Sequence, residues 1–194
     1  MPEAEKLPYL GAMKSDKIVQ FVCFETSLEL SDEQFIANWE MYTRSSNSNR
    51  NVTIQRSEKK GQFKYIAQHR LPSGDIRFVF EKARRSSRIP ELEIKSKQAG
   101  GYSLLQLHRK QEALENESKI FAFLVHPTVE LDNFRQLAVN GKLNIYEAYY
   151  ENCRYAYILE YFVKDMHVEE LVEQLKLHKA DETGVYKEFA LQES

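Results

Sequence analysis

Residues 17–35, KIVQFVCFETSLELSDEQF, and residues 119–134, KIFAFLVHPTVELDNF, decide the fold because they resemble each other. Four residues recur at a constant offset of 102, and the pairs are Lys17 with Lys119, Ile18 with Ile120, Phe21 with Phe123 and Thr26 with Thr128. Each copy begins with a run rich in β-branched and aromatic residues and continues into a helix-like pattern, which predicts a strand, a short connection and a helix. We therefore expect two similar halves in one chain.

The element order in the second half is that of a ferredoxin-like unit. A strand over residues 120–126 leads to a helix over 131–139, and a hairpin pairs residues 143–150 with 154–163. Asp165 is a candidate N-cap for a helix reaching about Lys179, and Gly184 opens a final strand. The order is β-α-β-β-α-β. In the first half, the stretch from Ser31 to Gln34 fits a capping box and begins the corresponding helix.

Local signals divide the chain into an arm and two halves. The arm covers residues 1–16, the first half 17–110 and the second half 119–194, with the boundary within 109–118. Residues 72–99 are predicted to be an irregular insertion where the first half would carry its second helix, because Pro90 breaks any helix there.

Both faces of each predicted sheet are largely apolar. Strand alternation places Ile120, Ala122 and Leu124 on one face and the group Phe121, Phe123 and Val125 on the other. Helices cover only one face of a ferredoxin-like sheet, and exposing the second would leave an apolar patch too large for a typical monomer. Burying five or six aromatic rings contributes on the order of 20 kcal/mol before entropy costs. The sequence therefore predicts that the two sheets pack on each other.

This repeated pattern resembles the dimeric α/β-barrel superfamily, with two ferredoxin-like units fused in one chain. The superfamily includes antibiotic-biosynthesis monooxygenases, muconolactone isomerases, stress-responsive barrel proteins and chlorite-dismutase-like haem proteins. The resemblance covers roughly residues 17–191 and rests on element order and pattern. It implies an α+β fold in which the antiparallel sheets form a pseudo-dimeric α/β barrel, with a cavity between the sheets or between a sheet and its helices. It implies a monomeric pseudo-dimer or a homodimer.

Composition excludes several classes of protein. The net charge of −2 gives no general attraction to nucleic acid or acidic lipid. Cys23 and Cys153 are too few for a disulfide framework and are expected to be reduced core residues. The N-terminus has no apolar segment typical of a secretory signal, and no apolar run is long enough to span a bilayer. We therefore expect a cytoplasmic protein with no membrane partner.

The first hairpin supplies the candidate site. By alternation Tyr65 and His69 share a face, and the repeat matches that face to the one carrying Tyr155 and Tyr157. His69 is the candidate catalytic residue, because a histidine among aromatic residues can act as acid or base near neutral pH. The tyrosines are candidate ligand-binding residues that would orient a carbonyl or enolate. The alternative is that His69 ends its strand as a hydrogen-bonded or solvated residue.

His126 is a weaker candidate for a haem ligand, since it ends the second repeated strand and precedes Pro127. The remaining histidines do not cluster with one another or with acids, and the sequence contains neither HExxH nor a nucleotide-binding glycine motif. We predict no metal site and no cofactor.

Three functions therefore compete. The first is binding of a small, largely apolar molecule in a barrel cavity, with cofactor-independent oxygenase or isomerase chemistry as its extension. The second is a haem-binding barrel protein. The third is an RNA-binding or purely structural interaction module, because the same element order occurs in RNA-recognition domains. Ile120-Phe121 and the stretch from Tyr155 to Ile158 resemble the two RNA-binding signatures, but Arg154 and Glu160 depart from the second.

Overall fold

The computed structural model describes residues 18–24, 31–43, 52–58, 63–71, 96–106, 116–138, 142–149 and 153–189. These ranges contain eight strands: β1 Ile18–Phe24, β2 Val52–Ser57, β3 Tyr65–Leu71, β4 Ser96–Gln106, β5 Glu117–Leu124, β6 Leu143–Ala148, β7 Tyr157–Lys164 and β8 Glu182–Phe189. Helices are α1 Asp32–Thr43, α2 Leu131–Arg135 and α3 Val168–Leu177, the last preceded by a single 3₁₀ turn at Asp165–His167.

The eight strands close into one antiparallel barrel with the order β1-β3-β2-β8-β5-β7-β6-β4. Within each half the order is fourth, first, third and second strand, which is the ferredoxin-like arrangement. The halves meet twice, where β2 pairs with β8 and where β4 pairs with β6. The α+β class and the barrel arrangement are thereby confirmed. At both junctions an edge strand of one half pairs with an edge strand of the other.

The space between the two sheets is filled by buried side chains, most of them aromatic. Phe21 on β1 packs edge-on against Tyr102, Tyr146 and Phe121, with ring centroids 5.5, 4.8 and 6.3 Å away. Further members of this inter-sheet core are Val19, Cys23, Phe63, Ile66, Phe123, Tyr155, Ile158 and Tyr186. The prediction that one sheet covers the other is confirmed.

A second core lies between the second half's sheet and its helices. α3 presents Leu171 and Leu175 to this sheet, following the i, i+4 spacing of a helix face. α2 contributes Phe134, and the sheet contributes Ile120, Ala122, Leu124, Leu143, Ile145, Leu159, Tyr161, Val163 and Val185. The two faces of β5 therefore serve different cores, as strand alternation predicts.

Two tyrosines connect the halves reciprocally. Tyr102 on β4 donates to the Tyr155 carbonyl at 3.1 Å, and Tyr186 on β8 donates to the Phe63 carbonyl at 2.9 Å. Each ring lies over a glycine two residues earlier in its own strand, Gly100 and Gly184 respectively. The glycine leaves the space that lets the ring lie flat and reach the opposite half.

The capping box is confirmed at the start of α1. Gln34 N donates to Ser31 Oγ at 3.2 Å, and Ser31 N donates to Gln34 Oε1 at 2.8 Å. In the second half the Asp165 carboxylate instead accepts from Ser118 Oγ at 2.6 Å, and α3 begins after the 3₁₀ turn. Asp165 therefore connects the start of α3 to β5 and is not the N-cap of α3.

Most predicted boundaries shift by a few residues, for example β5 to 117–124 from 120–126 and β7 to 157–164 from 154–163. Three further shifts concern β4, α2 and β8. β4 begins at Ser96, so the last four residues of the predicted insertion 72–99 are in the barrel, where they pair with β1. α2 ends at Arg135 and continues as turns, shorter than the predicted 131–139. β8 begins at Glu182, two residues before Gly184. The predicted arm 1–16 and residues 72–95 lie outside the described ranges.

The pairing registers also revise the repeat. Phe21 on β1 pairs with Gln68, and Phe121 on β5 pairs with Glu160. Phe21 also pairs with Gly100 and Phe121 with Gly184, the two glycines that lie under a tyrosine. Matching these glycines aligns β1 with β5 at an offset of 100 rather than 102. The difference of two residues preserves the face on which each side chain lies, so the packing argument is unaffected.

No helix among the described residues has the length and apolar character needed to cross a membrane.

Gly184 supplies the first test of this packing. A Cβ at Gly184 would lie 2.5 Å from the Tyr186 ring, which is fully buried and cannot move away at low cost. At Gly100 the nearest contacts would be 3.0 Å to Tyr102 and 3.1 Å to Cys153 Sγ. We expect Gly184→Ala to lower the free energy of unfolding by about 1–3 kcal/mol and Gly100→Ala to cost less. Urea unfolding of both variants measures this; equal costs would contradict the packing described.

Candidate functional site

A cavity of about 480 Å³ lies between α3 and β8 on the helix-covered side of the second sheet. Its apolar lining comes from Val168 and Val172 on α3 and Val185 on β8. α3 turns Val168, Leu171 and Leu175 onto the sheet, so Val172 lies at the edge of this buried stripe. The buried stripe of α3 thus covers part of the sheet, and a recess remains between the helix and β8.

Polar side chains surround the apolar lining. Glu169, Glu173 and Lys176 lie on α3, and Thr183 lies on β8. Lys176 Nζ is 3.1 Å from Glu173 Oε1, and both side chains are mostly exposed. The recess therefore has an apolar floor and a charged, solvated rim, an arrangement that suits a molecule with an apolar body and a polar end.

Tyr65 lies on the helix-covered side of the first sheet. Its ring stacks on Phe35 of α1 with centroids 3.7 Å apart, and its hydroxyl donates to Asp32 Oδ1 at 2.6 Å. Arg56 pairs with the same carboxylate. Burial and the neighbouring Asp32 raise the pKa of Tyr65, so the phenol is a neutral hydrogen-bond donor.

Tyr155 and Tyr157 lie in different cores. Tyr155 packs on Phe123 in the inter-sheet core and donates to Glu182, which also pairs with Arg154. Tyr157 is half-buried against the helix-side core, and its hydroxyl donates to the Pro127 carbonyl at 3.4 Å. Alternation places two residues on the same face only when both lie in one continuous strand. Tyr155 lies outside β7, which begins at Tyr157. The prediction that the two tyrosines share a face is therefore wrong.

The predicted site residues are therefore not gathered around one described cavity. Tyr65, Tyr155 and Tyr157 occupy three separate environments. His69 lies in β3, where its backbone pairs with Gln20 and Val52, and its side chain is outside the described part. Its role as acid or base stays a prediction.

The RNA-binding alternative required exposed aromatic rings on the central strands. Phe121 and Tyr155 are fully buried between the sheets. Since a base can stack only on an accessible ring, these two residues do not form a nucleic-acid surface.

The sequence reasoning missed two groups of residues. The cavity lining of α3 and β8 carries no motif, because valine and threonine at helix and strand spacing look like ordinary core positions. Five buried polar residues also lie between the sheets, namely Gln55, Gln68, Lys119, Asn144 and Glu160. A signal existed for Glu160, since it shares an alternating face with Ile158 and Phe162 in an otherwise apolar strand.

Comparison with solved structures places this architecture beside chlorite dismutases. One variant of the enzyme from Candidatus Nitrospira defluvii is similar over 93% of this chain and 95% of its own, with 9% identity and a TM-score of 0.55. Another, in complex with cyanide, matches 90% of this chain and 92% of its own at 7% identity and a TM-score of 0.54. No protein-family model matches the chain, and a search of curated proteins finds no match. At this identity the likeness establishes the fold.

The superfamily resemblance raises haem as a candidate ligand, and the described residues test it. Haem iron in proteins is held by an axial His, Cys, Met or Tyr. None of these types is among the residues that line the α3–β8 cavity. His126 is exposed beyond the end of β5, and His167 and His178 are exposed at the two ends of α3. The described lining of this cavity does not fit haem.

Buried tyrosines give the protein a measurable pH signature. Burial is the leading cause of a raised pKa for Tyr65, Tyr102, Tyr155, Tyr161 and Tyr186. Because the folded pKa exceeds the unfolded value of about 10, their contribution to stability is complete below pH ~10 and is lost as the pH rises above it.

We expect these five of the 11 tyrosines to stay neutral above pH ~10 while exposed phenols ionise, and then to ionise together as the protein unfolds. Ultraviolet absorbance of phenolate measures this, with the urea-unfolded chain as the reference. Smooth ionisation of all tyrosines near the unfolded pKa would contradict the buried arrangement.

Proposed function

We propose that this protein binds a small, largely apolar molecule in the cavity between α3 and β8. The observation that carries the proposal is the cavity itself, about 480 Å³ with a valine floor. This volume falls within the range of about 300–1,000 Å³ typical of small-molecule sites. The inter-sheet space offers less support for such a ligand, because its described side chains are packed against one another.

The rim defines the polar end of the ligand. Thr183 offers a hydroxyl, and Glu173 with Lys176 offers a paired acid and base at the mouth. Since that pair is exposed, it contributes little binding energy and mainly orients a polar group. A neutral or zwitterionic head on an apolar body matches both parts of the recess.

The likeness to chlorite dismutases supports a ligand-binding barrel rather than a particular reaction. Haem remains the second candidate on that likeness alone, and the lining of the cavity disfavours it. Cofactor-independent oxygenase or isomerase chemistry would need an acid or base beside the ligand, and His69 is the residue predicted for that role. Binding without chemistry is the function that the described cavity supports best.

Filling the cavity tests the proposal. Val172 is half-buried and lines the recess, so Val172→Phe places a ring where the ligand body would lie. We expect the neutral fluorescent probe N-phenyl-1-naphthylamine to bind the wild type and to bind Val172→Phe at least ~10-fold more weakly, a loss of about 1.4 kcal/mol. Fluorescence titration measures both affinities.

Val129→Phe is the matched control, because Val129 is also half-buried beside the helix-side core but does not line the cavity. It should bind the probe as the wild type does. Equal weakening by both substitutions, or no binding by the wild type, would contradict the proposal. Addition of haemin to both proteins tests the second candidate. A sharp Soret band of ligated haem that persists in Val172→Phe would favour a haem site elsewhere in the chain.

A further inference from the structure

The mouth of the α3–β8 cavity carries charges of both signs in a fixed order. Glu169, Glu173 and Lys176 occupy positions i, i+4 and i+7 of α3, which lie on one side of a helix. The helix rises about 1.5 Å per residue, so two acids and one base follow each other within about 10 Å. A molecule that lies along this mouth meets negative charge first and positive charge towards the end of α3.

Two features fix how β8 runs beside α3. Lys187 Nζ lies 3.6 Å from Asp165 Oδ2, so the later part of β8 is beside the start of the helix. The short connection 178–181 joins α3 to β8 and places Thr183, near the start of the strand, beside the end of the helix. Thr183 and Lys176 therefore line the same end of the cavity.

The two ends of the cavity differ in how their charges are engaged. At the start of α3, Asp165 accepts a hydrogen bond from Ser118 Oγ at 2.6 Å and also pairs with Lys187. Near the end of α3, Lys176 pairs with Glu173 of the same helix, and both side chains are mostly exposed. An exposed pair of this kind contributes little to stability, so the charges of a ligand can replace its partners at low cost. The polar head of a ligand therefore belongs at the Lys176 end.

Neither a purely anionic nor a purely cationic head suits this mouth. Glu169 and Glu173 lie one turn apart, where like charges repel each other, and an anionic head would add a third negative charge. A cationic head suits the two acids but leaves Lys176 facing a like charge. A head with one ammonium and one carboxylate group places each beside a group of opposite sign, where the hydrogen bonds are charge-assisted.

We propose that the molecule bound in this cavity is an α-amino acid with an aromatic or branched aliphatic side chain. Its ammonium group donates to Glu169 and Glu173, its carboxylate accepts from Lys176 and Thr183, and its side chain lies on the valine floor. Only one carbon separates the two charged groups of an α-amino acid, so both reach the mouth while the side chain points inward. This inference rests on the proposed function, because it names the class of molecule that the same cavity takes.

Three compounds with the same ring separate the contributions of the two charges. L-phenylalanine carries both groups, 2-phenylethylamine lacks the carboxylate, and 3-phenylpropanoate lacks the ammonium group. Titrations followed by saturation-transfer difference NMR at neutral pH measure direct binding of each compound, and displacement of N-phenyl-1-naphthylamine assigns that binding to the cavity. We expect L-phenylalanine to bind the wild type at least ~3-fold more tightly than either analogue, because an exposed ion pair contributes up to about fivefold in affinity.

Two variants assign each charge to its partner. Lys176→Met should weaken binding of L-phenylalanine and 3-phenylpropanoate at least ~3-fold, and binding of 2-phenylethylamine should be unchanged or tighter. Glu173→Gln should show the opposite selectivity, with L-phenylalanine and 2-phenylethylamine weakened and 3-phenylpropanoate unchanged or tighter. Lys164→Met is the matched control, because it removes an exposed lysine at the end of β7 that does not line the cavity. It should leave all three affinities as in the wild type.

The outcomes separate this inference from the proposed function. Absence of saturation transfer to L-phenylalanine, or affinities for the three compounds that are equal, would overturn the amino-acid assignment. Binding of N-phenyl-1-naphthylamine that Val172→Phe weakens would then leave the proposed function standing. Binding of L-phenylalanine that Val172→Phe does not weaken would place the amino acid outside this cavity and would also overturn the inference.

Discussion

The structure depends on one constraint: each four-stranded sheet has an apolar face that only the other sheet covers. Phe21, Phe121 and Phe123 have almost no exposure although they lie on central strands with helices on one side only. Closure through the β2–β8 and β4–β6 pairs removes all four sheet edges at once. Tyr102 and Tyr186 then hydrogen-bond across the junction in opposite directions, so neither half satisfies its interior groups alone.

Closure also determines where a ligand can bind. Among the described residues the rings fill the space between the sheets, and a recess that can hold a larger molecule lies on the helix side, between α3 and β8. The centre of the barrel has a different character, since Gln55, Lys119 and Glu160 are buried among its aromatic rings. The fold thus has an apolar recess on the helix side of the sheet and a buried polar cluster between the sheets.

Much of the fold follows from the sequence, because strand alternation over residues 120–125 and the capping box at Ser31 report strong local preferences. The alignment of β1 with β5 does not follow from the sequence, because offsets of 100 and 102 place the same side chains inward. Only the pairing of each strand with its neighbours distinguishes the two offsets. The candidate site is the feature that follows least from the sequence. Alternation predicts that Tyr155 and Tyr157 share a face, but Tyr155 precedes β7 and its ring packs in the other core. Val172 and Thr183 form a recess only through the placement of α3 over β8, which local sequence does not encode.

The most direct test of this account is whether the two halves unfold together. Trp39, the single tryptophan, lies in α1 of the first half, whereas hydrogen exchange of β5 and β7 amides reports on the second. A shared interior predicts one cooperative transition, with tryptophan fluorescence and amide protection lost at the same urea concentration. Two separate transitions, with the second half remaining folded after the first has unfolded, would contradict the mutual coverage of the sheets.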